Sequence, residues 1–198
     1  MIDESVLMEF GARKSWYPKG ELIFGEGELA KCYFQIISGE VKMNNYNYDG
    51  KEFVQGIFYK GQSFGEPPLF GDLKYPANAE AITEVELYKL AKPHFFQLLE
   101  ANPEIHLELT KTLASRLFYK AIIASELSTQ EPEHRILRLL DYLKKYVHQL
   151  KEPFSFKVDL TRQQIADLTG LRVETVIRAT KSLEKKNEVL ISKRKIYR

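Results

Sequence analysis

From residue 16 to about residue 92 the chain is punctuated by glycine- and proline-based turn signals, which leave no room for a long helix. The signals are Pro18-Lys19-Gly20, Gly25-Glu26-Gly27, Ser38-Gly39, Asp49-Gly50, Lys60-Gly61 and Gly71-Asp72. Between them lie short β-prone runs at Leu22-Ile23-Phe24, Cys32 to Ile37, Glu40 to Met43 and Phe53 to Phe58. Short strands separated by close-set turns are the pattern of an antiparallel sandwich or barrel. Tyr46 to Lys51 reads as a hairpin tip, because Asp49-Gly50 suits a type I′ turn. Trp16 and the clustered phenylalanines and tyrosines are most simply core residues.

The period changes at Lys92. Pro93 opens a helix, with Phe95, Phe96, Leu98 and Leu99 following. Asn102-Pro103 breaks and restarts it, and Asn102 is placed as an N-cap. Ile105, Leu109, Leu113, Leu117, Ala121, Ala124 and Leu127 then recur at three- and four-residue steps with no glycine or proline between them. A stripe this long exceeds what one small barrel can cover, so it reads as a dimerisation helix. Ser128 to Glu133 is the next punctuation. Arg135 to about Leu150 reads as a helix ended by Pro153, and Phe154 to Val158 alternates like a strand.

Charge is partitioned along the chain. Residues 1–128 carry 13 Lys+Arg against 18 Asp+Glu, net −5, whereas residues 129–198 carry 16 against 9, net +7. A basic C-terminal module is a candidate for nucleic acid. Hydrophobic content of 44% excludes a disordered chain. The single cysteine, Cys32, cannot close an internal disulfide or hold a cysteine-ligated cluster, and it reads as a small buried hydrophobe. The first residues place acids before bases with no long apolar run, so a signal peptide is not expected. No run approaches the ~20 apolar residues of a membrane span. A cytoplasmic location is the resulting expectation.

Thr161 to Arg178 has the spacing of a helix-turn-helix. Two helices crossing steeply need a small residue where their backbones meet, and Ala166 is placed for that. The turn needs a residue tolerant of positive φ, which Gly170 supplies. Val176 anchors the second helix on the first, with Ile165 and Leu171 also inward. Glu174, Arg178, Lys181 and Lys185 then share the outward face. Arginine pairs bidentately with guanine O6 and N7, and glutamate accepts from cytosine N4. Thr161, Arg162 and Gln163 stand at the first helix's start, where donors meet a phosphate. Val189 to Arg198 reads as strand, basic turn, strand: a wing whose tip, Lys193-Arg194, suits phosphates. With Arg172 and Thr175, these form the candidate DNA-contacting set: Thr161, Arg162, Gln163, Arg172, Glu174, Thr175, Arg178, Lys181, Lys193 and Arg194.

A turn-rich barrel, a long helix and a winged helix-turn-helix together resemble the CRP/FNR family of bacterial transcription regulators, over about residues 16–198. Tyr17 to Ile23 and Ile37 to Val41 look like that family's cyclic-nucleotide-binding barrel, and Phe64-Gly65-Glu66 like the start of its phosphate-binding cassette. Leu171 to Arg178 is similar to its recognition helix, more FNR-like than CRP-like, with the family's Glu and Arg retained as Glu174 and Arg178. The resemblance implies an α+β fold: an N-terminal antiparallel jelly-roll β-barrel (1–101), a dimerisation helix (102–128) and a C-terminal winged helix-turn-helix (129–198). It further implies a homodimer on a palindromic operator in double-stranded DNA, in contact with RNA polymerase. The effector pocket would take Phe64, Gly65, Glu66, Ala77, Asn78 and Lys120. Yet the Arg-Ser pair of the family's cyclic-nucleotide binders is replaced by Pro76-Ala77, and Pro67 and Pro68 remove further amide donors. The adenine-contacting hydroxyls fall on Lys120 and Ala121. The lost charge-assisted hydrogen bond is worth roughly 1.5–3 kcal/mol. The expectation is a small-molecule effector other than cyclic AMP, or none.

Two other classes fit less well. A cupin-like metalloenzyme needs clustered histidines, and His94, His106, His134 and His148 are all far apart in sequence. His94 and His106 sit in no recognisable haem motif. A ligand-binding barrel whose C-terminal module contacts protein would lack the steep salt dependence of DNA binding. No catalytic constellation stands out, so neither enzymatic activity nor a cofactor nor a metal is expected.

Overall fold

The computed structural model describes residues 2–48, 50, 52–126 and 131–198. Its contacts divide the chain into two compact units, Met1–Ala114 and Ser115–Arg198. In the first, α1 (Glu4–Glu9) is capped by the Asp3 carboxylate, which accepts from the Ser5 amide. Turns and short strands then repeat in the pattern the glycines set. The strands are β1 (Arg13–Tyr17), β2 (Leu22–Phe24), β3 (Cys32–Ser38), β4 (Val41–Tyr46), β5 (Glu52–Phe58) and β6 (Ser63–Phe64). A single turn of helix, α2 (Pro67–Phe70), precedes β7 (Asn78–Ala81) and β8 (Val85–Ala91).

These strands form two antiparallel four-stranded sheets, ordered β1-β8-β3-β6 and β2-β7-β4-β5. One core lies between them, built from Phe34, Ile36 and Leu87 of the first sheet and Phe24, Val41, Ala79 and Ala81 of the second. Gln35 is buried among these apolar groups, and its amide is satisfied. Its Oε1 accepts from the Ile2 amide at 3.0 Å and the Tyr33 hydroxyl at 2.8 Å, and its Nε2 donates to the Ile2 carbonyl. That clamp holds the N-terminal segment to the core.

Trp16 corrects the sequence expectation. It is 61% exposed, because β1 is an edge strand paired only with β8 and its alternation turns Tyr17 toward the core and Trp16 away. Tyr46 and Phe53 are exposed as well, while Phe24, Phe34, Phe64 and Tyr75 are core as expected. The hairpin tip expected at Asp49-Gly50 involves Asp49 and Lys51, which lie outside the described residues; Gly50 itself has φ +71°.

Helix α3 (Lys92–Ala101) begins with Pro93 in its first turn and buries Phe95, Leu98 and Leu99. Asn102 does not act as its side chain was expected to act. Its Nδ2 donates back to the Leu98 carbonyl and so closes α3, while its own carbonyl accepts from His106 and opens α4 (Pro103–Glu126). The α4 stripe divides. Leu109 is buried, and Ile105 and Leu113 pack against the first unit's core. Beyond them Leu117 is 70% exposed, and Leu107 and Phe118 are about half exposed. Leu127 and Ser128–Gln130 lie outside the described residues.

In the second unit α5 (Pro132–Tyr142) packs Ile136, Leu139 and Leu140 inward. Leu143–Val147 winds as a π-helical turn, closed by the bond from the His148 amide to the Leu143 carbonyl. The helix therefore ends before Pro153, with Gln149 at φ +54°. The expected strand at Phe154 shrinks to β9 (Lys157–Val158), because Phe154 sits at φ +54°. Next come α6 (Arg162–Thr169), α7 (Val173–Lys185), β10 (Leu190–Ser192) and β11 (Lys195–Tyr197). Strands β9, β10 and β11 form one antiparallel sheet in the order β10-β11-β9. Their core joins Ile136, Leu139, Phe156, Ile165, Val176, Leu183 and Ile196.

Two glycines separate conformational from steric demand. Gly39 has φ +88°, and an added Cβ would stand 2.1 Å from the Glu84 carbonyl oxygen. Gly170 has φ +67° but open space around it. Gly170→Ala is expected to cost only the left-handed penalty of about 1–2 kcal/mol, and Gly39→Ala clearly more, since backbone must also move. Denaturant melts of both variants test this; an equal or smaller loss at Gly39 contradicts it.

Candidate nucleic-acid interface

The interface is built on the crossing of α6 and α7. Ala166 is almost wholly buried there against a core that includes Val176 and Ile165, and Leu171 packs on the same cluster. Gly170 takes the left-handed cap of α6, and the Gly170 and Leu171 amides both bond the Ala166 carbonyl. Burying Val176, Ala179 and Leu183 turns the opposite face of α7 outward.

That outward face carries Glu174, Arg178, Lys181 and Lys185, all exposed, with Arg172 just ahead of the helix and Thr175 half-buried beside them. An ordinary surface reading would pair Glu174 with Arg178 one turn on. Among the described residues no hydrogen bond or ion pair occupies the side chain of either of them, nor those of Arg172, Lys181 or Lys185. Sequence reasoning passed over Ile177. It is 40% exposed in the middle of this charged face, where an apolar side chain is suited to a thymine methyl. Its signal in the sequence was its place at the same helical steps as Glu174 and Lys181.

At the start of α6 the donors are partly committed. Thr161 and Gln164 form a reciprocal capping box: the Gln164 amide donates to Thr161 Oγ1 at 3.1 Å, and the Thr161 amide to Gln164 Oε1 at 2.7 Å. Thr161 thus offers a phosphate its hydroxyl hydrogen rather than its amide. Gln163 Nε2 donates to Asp167 Oδ1 at 2.7 Å. Arg162 is half-buried, and that burial pulls its pKa down, though a guanidinium remains charged. The wing tip holds Lys193 at φ +45° and Arg194 at φ +65°, both exposed. Two consecutive left-handed residues make a type I′ turn, which normally selects Asn-Gly. Two long cations there keep a strained backbone at the exposed tip of the hairpin.

The residues expected to hold an effector are packed into the first unit. Phe64, Glu66 and Ala77 are buried. The Phe24 ring stands where a side chain at Gly65 would be. Asn78 accepts from the Glu26 amide at 2.9 Å and donates to the Asn44 carbonyl at 3.4 Å. The Pro76 carbonyl accepts from Asn45 Nδ2 at 2.7 Å. Tyr75 stacks on Phe24 with ring centroids 3.6 Å apart, and burial raises its phenol well above the ordinary range. Lys120 belongs to the second unit, where desolvation lowers its pKa. Among the described residues no cluster of three His, Cys, Asp or Glu side chains suits a metal, and no helix is long and apolar enough to cross a membrane.

Residues 14–102 match the cyclic nucleotide-binding domain family, and residues 134–197 the Crp-like helix-turn-helix domain family. The cAMP-activated global transcriptional regulator CRP of Haemophilus influenzae is 32% identical over 172 residues, covering 86% of this chain and 77% of that one. The c-di-GMP responsive global regulator CLP of Xanthomonas campestris superposes with a TM-score of 0.72 at 25% identity, over 98% of each chain. CooA of Carboxydothermus hydrogenoformans superposes at 0.76 over 99% of this chain and 87% of that one; at 21% identity it speaks for the fold alone.

On a duplex carrying the preferred site, Arg178→Ala is expected to weaken binding by about 1–3 kcal/mol and relax one base position. Equal weakening on every sequence would instead make Arg178 a phosphate contact. Ile177→Ala is expected to reduce the preference for thymine at one position, read by comparing thymine with uracil there. At the wing tip, Lys193→Asn with Arg194→Gly is expected to raise the melting temperature while lowering DNA affinity, since it removes both strain and charge. A lower melting temperature would show that the turn is unstrained.

Proposed function

The chain belongs to the CRP/FNR family of DNA-binding transcription regulators, and we propose that it acts as a cytoplasmic homodimer on a palindromic operator. The observation that carries this reading is the outward face of α7, where Glu174, Arg178 and Lys181 stand exposed and unpaired around Ile177. Arg178 and Glu174 are the base readers; Lys193, Arg194 and the start of α6 meet phosphates. Leu117, 70% exposed on α4, is apolar surface that a second copy's α4 would cover. Two recognition helices held about 34 Å apart enter successive major grooves, so a small rotation about the paired helices changes affinity. Contact with RNA polymerase then converts occupancy into a change in transcription.

The barrel is a poor receptor for cyclic AMP. No arginine stands at the Pro76-Ala77 position to meet a phosphate, and the groups around it bond to one another. The barrel therefore takes another small-molecule effector or holds the dimer without one. The domain roles follow: residues 1–101 as the barrel, 102–128 as the dimer helix and 129–198 as the DNA-binding module.

Selection of bound duplexes from a random library, with no effector added, tests the main reading. Enrichment of a palindrome with half-sites about one helical turn apart is the expected result. Absence of any enrichment at moderate salt, with metabolites added as well as without, argues against it. Calorimetry with cyclic AMP is expected to show no saturable binding in the low micromolar range; such binding would overturn the effector reading.

A further inference from the structure

The wing is a hairpin of two three-residue strands, so its tip stands about 10 Å from its base. A tilt of ~10° at the base moves the tip ~2 Å, enough to lose a phosphate hydrogen bond. What sets that angle is Arg198. Its Nε donates to Asp141 Oδ1 at 2.6 Å and its Nη2 to Asp141 Oδ2 at 3.2 Å, a two-pronged pair with α5. Its Nη1 donates to the Glu188 carbonyl at 2.6 Å and to Glu188 Oε2 at 2.9 Å, in the loop between α7 and β10. Its backbone pairs in both directions with Phe156. The Ile191 amide of β10 adds a bond by donating to Glu184 Oε1 on α7 at 3.2 Å. One guanidinium thus joins the end of β11 to α5 and to the chain leaving α7.

We propose that Arg198 is a positioning residue for DNA binding, whose fork to Asp141 and Glu188 fixes the wing against α7 so that Lys193 and Arg194 reach phosphates in register with the recognition helix. This rests on the DNA-binding reading above. Arg198 is itself committed to two carboxylates and so acts through the wing rather than on the duplex. Asp141 makes the proposal sharp. Removing an acidic charge should, by net charge alone, tighten DNA binding. If Asp141 instead aims the wing through Arg198, removing it weakens binding.

The test measures affinity for the duplex selected by the wild-type chain, across a salt series, for Arg198→Met, Asp141→Asn, the wing double Lys193→Asn/Arg194→Gly, and the triple that adds Arg198→Met to the wing double. Arg198→Met and Asp141→Asn are each expected to weaken binding about tenfold. Each should lower the slope of log affinity against log salt by about two, as the wing double does. The triple should bind within about twofold of the wing double. A wild-type slope in Arg198→Met, additive losses in the triple, or tighter binding by Asp141→Asn each overturns the proposal while leaving the DNA-binding reading intact. A lowered melting temperature with an unchanged slope marks a merely structural role and overturns it too. Should Arg198→Met fail to fold, Asp141→Asn, which keeps every cation, decides alone. A wild-type chain that binds no duplex in a salt-dependent way refutes the DNA-binding reading itself.

Discussion

The close contact of α6 and α7 governs the second unit. Ala166 is buried at the crossing, and a left-handed residue, Gly170, carries the chain from α6 into α7. Once Val176, Ala179 and Leu183 are committed to that contact, no rotation of α7 remains that would hide Glu174 or Arg178. The chemistry of the outward face is thus a consequence of packing on the inward one. The same packing leaves Ile177 40% exposed within the charged face.

Features set by local chemistry could be read from the residues, and features set by distant neighbours could not. The helix-turn-helix is local: a small residue, a positive-φ residue and an apolar anchor at fixed steps. The strands at Leu22 and Cys32 are local too, since β-branched and aromatic residues sit between turn signals. Strand β7 is different. Its core-facing residues are Ala79 and Ala81, which carry little strand preference and are there because the sheet interior has no room for more. Trp16 misled because size argued for burial while its edge strand and register put it outside. The α4 stripe is periodic throughout, yet periodicity does not say where its support ends. Leu113 still packs on the first unit's core and Leu117 does not. Phe154 alternates correctly with Phe156, but its positive φ breaks the strand that the pattern implied.

The excess positive charge of the last seventy residues is likewise sorted by structure. Lys186 pairs with Glu133, and Arg198 with Asp141 and Glu188. Such exposed or half-exposed pairs add little stability individually, but they remove those cations from the count available to DNA. The cations of α7 and of the wing tip, having no such partners among the described residues, are the ones whose counterions a duplex would release. Net charge therefore points to the Crp-like helix-turn-helix module, and the pairing pattern separates its committed cations from its uncommitted ones.

The barrel poses the opposite case, since the residues expected to hold an effector are packed among aromatic rings. Phe24 lies against Tyr75, Phe34 and Phe64 in one aromatic cluster, and the turn around Gly27 is tied to Tyr75 through its carbonyl. A ligand held among these rings would first have to part them. Opening such a cluster at a cost of roughly 2–3 kcal/mol lowers the apparent affinity of any ligand roughly 30- to 150-fold, because only the open fraction binds. A nucleotide would meet that loss and the missing arginine together. An apolar or aromatic ligand meets only the first and regains part of it by replacing the ring contacts it displaces. Any effector that works through this barrel is therefore expected to resemble the aromatic side chains already inside it more than it resembles a phosphate ester.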